Sequence, residues 1–163
     1  MAFLHYSFMS ELETQQKTDS ESINPPYQTA FAAEKAFYHA FVRRDIKMMK
    51  TVWSPRLPQS HCLHPGNSPL NGYEAIIKSW EEIFSTRALA KLQIEHKSIA
   101  GNDNLAVHRI TEHLSYKNDD GITQQATFHV INVLQRIKTE WFMLSHHAAP
   151  APIIEKPSGA TVH

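Results

Sequence analysis

Cys62 is the only cysteine in the 163-residue chain, so no internal disulfide can form and the fold must stand on its core alone. That fits a reducing compartment. Neither sign of charge is in excess, because 16 Lys and Arg balance 16 Asp and Glu. Without a basic excess there is no electrostatic footprint for nucleic acid or anionic lipid, and neither is an expected partner. No apolar run approaches the roughly 18 residues of a membrane span. The start, "MAFLHYSFMSELE", has no basic residue before its apolar patch and no clear cleavage site, unlike a signal peptide. These absences together lead us to expect a soluble cytoplasmic protein. No internal repeat is visible.

The length suits one ordinary domain, and 42% apolar with 20% charged residues is a globular composition. Residues 1–26 read as a flexible arm, polar from Met9 and ending in Pro25-Pro26; 27–153 is the folded domain, and 154–163 a flexible tail. From Tyr27 the pattern turns helical, with Phe31, Phe37, Tyr38, Phe41 and Val42 on one stripe with Ala30 and Ala33. Arg43-Arg44 suits the negative end of that helix. Asp45 caps a short second helix through Met48, Met49, Val52 and Trp53, which Pro55 terminates. "SHCLH" is a short strand. A third helix opens at Asn71, with Glu74 as its capping-box partner and Tyr73, Ile76, Ile77, Trp80, Ile83 and Phe84 on its apolar face.

After Arg87 the period falls towards two. Strands are predicted over 90–99, 105–116, 123–137 and 141–149, separated by turns at 101–104, 118–121 and 138–140. Three helices followed by an antiparallel meander is an α+β pattern, and a curved sheet wrapped around the helices would leave a hollow. In 105–116 the more apolar face carries Ala106, His108, Ile110, Glu112, Leu114 and Tyr116, so Glu112 turns towards the helices, where a carboxylate needs a partner or a proton. The strand 123–137 is apolar on both faces: Phe128, Val130 and Leu134 share one with Asn132, while Ile131, Val133 and Ile137 share the other. A strand covered on both sides needs a second layer, and all three helices precede it. A homodimer through the sheet face supplies that layer.

The order "RRDIKMMKTVW", "HPGNSPLNGYEAIIKSWEEIF", strands, then "EWFMLSHHAAP" resembles the SnoaL-like branch of the nuclear transport factor 2-like superfamily over residues 28–152. The resemblance implies a cone-shaped α+β barrel: three N-terminal helices in the concave face of a curved antiparallel sheet, an internal cavity and usually a dimer. The superfamily holds isomerases, dehydratases, hydrolases, cyclases and non-catalytic association domains, and fold alone does not choose among them. His64 stands near where the steroid isomerases place their base aspartate, and this chain has no aspartate there.

Candidate chemistry follows from the residues. His61 and His64 are three positions apart in a strand, so they face opposite ways, and His146 and His147 are likewise opposed. Each pair gives a common site at most one ligand; a mixed site from His64, Glu112 and one of His146 and His147 has no motif behind it. No metal site and no cofactor are therefore expected. Cys62 reads as a small buried residue. His64 is the candidate acid–base group, Glu112 its orienting carboxylate and Asn132 a polariser of a bound carbonyl. Tyr38, Trp53, Trp80 and His147 complete the expected cavity lining. The leading expectation is a dimeric protein that binds a small apolar or cyclic ligand. The alternative is a cofactor-independent isomerase, lyase or hydrolase using His64 and Glu112.

Overall fold

Thr29 opens the first helix, its side-chain oxygen accepting from the Ala32 amide at 3.0 Å, as an N-cap does. The helix, α1 (Ala30–Arg43), ends where Arg44 turns left-handed at φ 57° and its N–H returns to the last-turn carbonyls. Five buried alanines (Ala30, Ala32, Ala33, Ala36 and Ala40) let α1 lie close against the sheet, with Phe37 fully buried among them. Asp45 then caps α2 (Ile46–Val52) by accepting from Met48 N at 3.0 Å. These elements belong to a computed structural model that describes residues 23–86, 91–118 and 120–152. The expected arm over residues 1–26 and tail over 154–163 fall largely or wholly outside the described residues. No helix among them is long and apolar enough to cross a membrane.

The remaining elements are β1 (His61–Leu63), β2 (Leu70–Asn71), α3 (Tyr73–Thr86), β3 (Lys91–Gly101), β4 (Leu105–Lys117), β5 (Thr123–Ile137) and β6 (Glu140–Pro150). Asn71 does not cap α3 as expected. It pairs with His61 in β2, and Gly72, at φ 81°, makes the turn into the helix. The six strands form one sheet in the order β2-β1-β6-β5-β4-β3.

The α+β class with three helices on a curved sheet is as expected, and the sheet adds two details. It is mixed, because β1 runs parallel to β6, with Cys62 opposite His146. It is also not a closed barrel, since β2 and β3 remain as its two edges. The parallel pair arises because β1 enters the sheet before α3, while its partner is the last strand, so no hairpin joins them. Register shifts between His96 and Ser98 and between Val133 and Leu134 mark bulges, the usual device for bending long strands. The helices occupy the hollow side, where Phe37, Met49, Val52, Trp53, Ile76 and Trp80 meet Ile110, Val130, Leu134 and Met143 in one core. Pairing carries the opposed residues of neighbouring strands to one face: Glu112 stands opposite Phe128, and Asn132 stands between His108 and His146.

Close approach is tightest at Gly101, where an added Cβ would lie 2.3 Å from Leu105 O and 2.9 Å from Ala106 Cα. Both are backbone and neither can swing away. We expect Gly101→Ala to lower stability by about 1–3 kcal/mol, read as an earlier midpoint in urea unfolding. An unchanged midpoint would show that the β3–β4 turn relaxes freely.

Candidate functional site

The buried face of α1 carries Glu34 and Tyr38 one helical turn apart, with side chains only 2% and 6% exposed. A carboxylate cannot remain charged there without donors. Three strands supply them. His96 Nε2 from β3 and His108 Nδ1 from β4 approach Glu34 Oε2 at 2.7 and 2.9 Å, and Asn132 Nδ2 from β5 donates to Oε1 at 2.8 Å. Burial alone would raise the Glu34 pKa, but the hydrogen bonds from His108, His96 and Asn132 outweigh it and hold the carboxyl at about 2.

That anion orients its neighbours. Because Glu34 only accepts, Asn132 must turn its NH2 group towards it, and the same Nδ2 reaches Tyr38 Oη at 3.2 Å. The Asn132 Oδ1 is then left to accept from His146 Nδ1 at 2.7 Å. Full burial presses the His146 pKa down to about 3, so it stays neutral with its proton on Nδ1. Tyr38 in turn donates to Glu112 Oε1 at 2.7 Å. Burial lifts Glu112 to about 7; the Tyr38 bond opposes that rise and the Glu34 charge adds to it. Two carboxyls on one chain of hydrogen bonds are thus driven in opposite directions, Glu34 towards the anion and Glu112 towards the neutral acid.

His64 lies apart from this chain. It shares a 2.7 Å hydrogen bond with Ser79 Oγ on α3, stands edge-on to Trp80 at 4.7 Å, and has Cys62 Sγ at 3.7 Å. Burial lowers the His64 pKa to about 4, and burial likewise pushes the Cys62 thiol up to about 12. Both are therefore neutral near pH 7, and Cys62 has no thiolate with which to react.

The expected His64–Glu112 dyad is not formed. His64 follows β1 and Glu112 sits on β4, three strands away in the order β1-β6-β5-β4, a span of about 14 Å at the usual strand spacing. The sheet instead brings together Tyr38, Glu112 and Asn132, with Asn132 fully buried at the junction. Trp53 and Trp80 are buried in the core, each with an indole N–H that lacks a hydrogen-bond partner. His147 is on the opposite sheet face: its Nε2 meets His61 Nδ1 at 2.5 Å, and His146 is the inward member of the pair. Sequence reasoning missed Glu34, His96, His108 and His146 as site residues. His108 had been placed on the Glu112 face, and Glu34 shows its own signal as an acid inside the alanine-rich stripe of α1.

Towards one end of this inner face burial relaxes. Leu114, Tyr116, Ala126 and Phe128 are half-buried, and Ile94 beside Glu112 is 38% exposed. Glu112 is the carboxyl on the β4 inner face nearest that end.

An α+β fold of three helices against a bent mixed sheet, with ionisable side chains in its interior, defines the nuclear transport factor 2-like class. A SnoaL-like domain model matches residues 32–153, and the chain belongs to that family. Among solved structures, a candidate calcium/calmodulin-dependent protein kinase type II association domain from Thiobacillus denitrificans is 30% identical, covering 79% of this chain and 100% of its own, with a TM-score of 0.69. A candidate dehydratase of the nuclear transport factor 2-like family from Streptomyces avermitilis is 25% identical over 73% of this chain and 91% of its own, with a TM-score of 0.63. A ketosteroid isomerase-like protein from Erwinia carotovora atroseptica, 19% identical over 74% of this chain and 93% of its own, shares the fold with a TM-score of 0.64. No curated protein sequence matches the chain significantly.

The Glu112 shift makes stability depend on pH with a definite sign. Its folded pKa of about 7 lies above its ordinary 4.5, so its contribution is complete below about 4.5 and is lost as pH rises to about 7. The difference corresponds to about 3 kcal/mol. Relative to Glu112→Gln, the native chain should lose about that much between pH 4 and pH 8 in urea unfolding. A stability difference independent of pH would contradict the assignment.

Proposed function

We propose that the interior around Tyr38 and Glu112 binds a small, largely apolar carbonyl compound and moves a proton on it, as an isomerase or a dehydratase does. The observation that carries this reading is the Glu112 carboxyl, buried, titrating near neutrality and hydrogen-bonded to Tyr38 at 2.7 Å. A carboxyl with a pKa close to the working pH supplies both the acid and the base form without a cofactor. As base it takes a proton from the carbon beside the carbonyl. Returning that proton to another carbon completes an isomerisation. Delivering it to a departing hydroxyl, which leaves as water, completes a dehydration. Tyr38 supports the anionic form in place of the water that burial removes. Ile94, Leu114 and Phe128 offer apolar walls beside it on the sheet, as expected for a cyclic or aromatic ligand. The dehydratase-named relative at 25% identity lends this reading support at the level of class.

A second reading concerns assembly and is compatible with the first. On the sheet face away from the helices, Ile131 is 47% exposed in a groove of about 470 Å³ that also includes Leu63, Arg109, His129, His147 and Ala149. Burying Ile131 and the neighbouring Val107 and Val133 against a second copy would give β5 cover on both faces. The association-domain name of the Thiobacillus protein, 30% identical, points the same way.

Deuterium uptake from D2O beside the carbonyl of a panel of cyclic ketones, followed by NMR, tests the chemistry. Glu112→Gln should slow uptake by on the order of 100-fold or more while keeping the native circular dichroism. Equal uptake by both proteins would overturn the proton-transfer role. For assembly, light scattering at micromolar concentration should find a dimer that Ile131→Glu converts to a folded monomer. A native monomer, or a variant that remains dimeric, would refute the interface.

A further inference from the structure

Glu34, His96 and His108 place one carboxylate oxygen and two imidazole nitrogens within 4.8 Å of one another. We propose that these three residues form a binding site for one divalent transition-metal ion, with zinc the best match. The proposal uses none of the residues given a role in proton transfer, and Glu34 meets them only through Asn132 and through its charge.

The donor set is the first argument. Two imidazole nitrogens and one carboxylate oxygen suit zinc and its neighbours, and leave a coordination position for water. The arrangement is the second. Both histidines aim at the same oxygen, Glu34 Oε2, so two imidazole nitrogens and a carboxylate oxygen converge on one point, as the ligands of a single ion do. The other oxygen is held separately by Asn132 Nδ2 at 2.8 Å, the kind of outer partner that fixes a ligating carboxylate. Phe31 packs over both rings, with its centroid 4.8 Å from His108 and 5.7 Å from His96, and so limits their rotation.

Access and adjustment come from β3. The His96 side chain is 31% exposed on this edge strand, whereas His108 and Glu34 are 1% and 2% exposed, so an ion arrives from the His96 side. Oε2 lies 2.7 and 2.9 Å from the two nitrogens. Ligand atoms around a tetrahedral zinc, at bond lengths of about 2.0–2.1 Å, stand roughly 3.3 Å apart. The cluster must therefore open by about half an ångström. The bulge between His96 and Ser98 is where the edge strand can yield that distance. Each imidazole gives up the proton on its ligating nitrogen, either moving it to the other ring nitrogen or releasing it to solvent, so binding weakens in acid.

The test is a titration of the chelator-treated full chain with zinc chloride against a chromogenic zinc indicator at pH 7.5. One ion per chain should bind. His96→Ala, at the exposed ligand, should weaken binding by on the order of 100-fold or more, since losing even an outer-shell partner costs 10–100-fold. His61→Ala, in the half-buried pair with His147, should leave it unchanged. Cobalt(II) should give visible absorption bands in the native chain that His96→Ala abolishes. If His108→Gln fails to fold, His96→Ala still decides the matter, its folding being checked by circular dichroism. Absence of stoichiometric zinc binding, binding that survives His96→Ala, or binding lost instead in His61→Ala would each overturn the site.

Discussion

The hydrogen-bonded chain that joins α1 to four strands of the sheet is arranged around one buried anion. Glu34 occupies a position on α1 that packing alone would give to a leucine, and its charge is tolerated only because β3, β4 and β5 each present a donor to it. The constraint spreads outward. It fixes the Asn132 amide, which fixes the proton of His146, and it leaves Tyr38 free to donate to Glu112. The Glu34 charge also helps keep Glu112 from ionising. An apolar side chain in place of Glu34 would leave two histidines and an amide without their acceptor, a larger loss than one hydrogen bond.

The same anion separates the interior into parts with different capacities. On one side, His96 and His108 converge on the carboxylate in a cluster with the chemistry of metal ligands. On the other, Tyr38 and Glu112 form a neutral pair near the half-buried end of the sheet, suited to proton transfer. His64 and Ser79, beyond β6, make a third polar point enclosed by Trp80 and Cys62. Three local environments on one inner face differ because the strands set position while the residues on them set charge and hydrogen bonding.

Much of the fold was legible in the sequence because its signals are local. The β5 limits coincide with the predicted 123–137, since turn residues bracket a long β-rich run. Asp45 was readable as a cap for the same reason. The parallel β1–β6 pair was not legible: β1 has three residues, and its partner lies some eighty positions later, beyond the reach of any periodicity. The site divided in the same way. Glu112 and Asn132 could be assigned to the inner face by strand alternation. His64 could not be separated from Glu112 without the strand order, and the choice between His146 and His147 depended on the β5–β6 register. Glu34 was overlooked because one acid in an apolar helical stripe resembles the edge of that stripe, and only the strands opposite reveal that it is central.

Infrared difference spectroscopy of the Glu112 carboxyl tests this account most directly. The protonated C=O stretch, isolated by subtracting the Glu112→Gln spectrum, should be strong at pH 5.5 and disappear with a midpoint near 7. A midpoint at the ordinary value of 4.5 would mean that neither burial nor the Glu34 charge governs this group, and the account of the interior would fail.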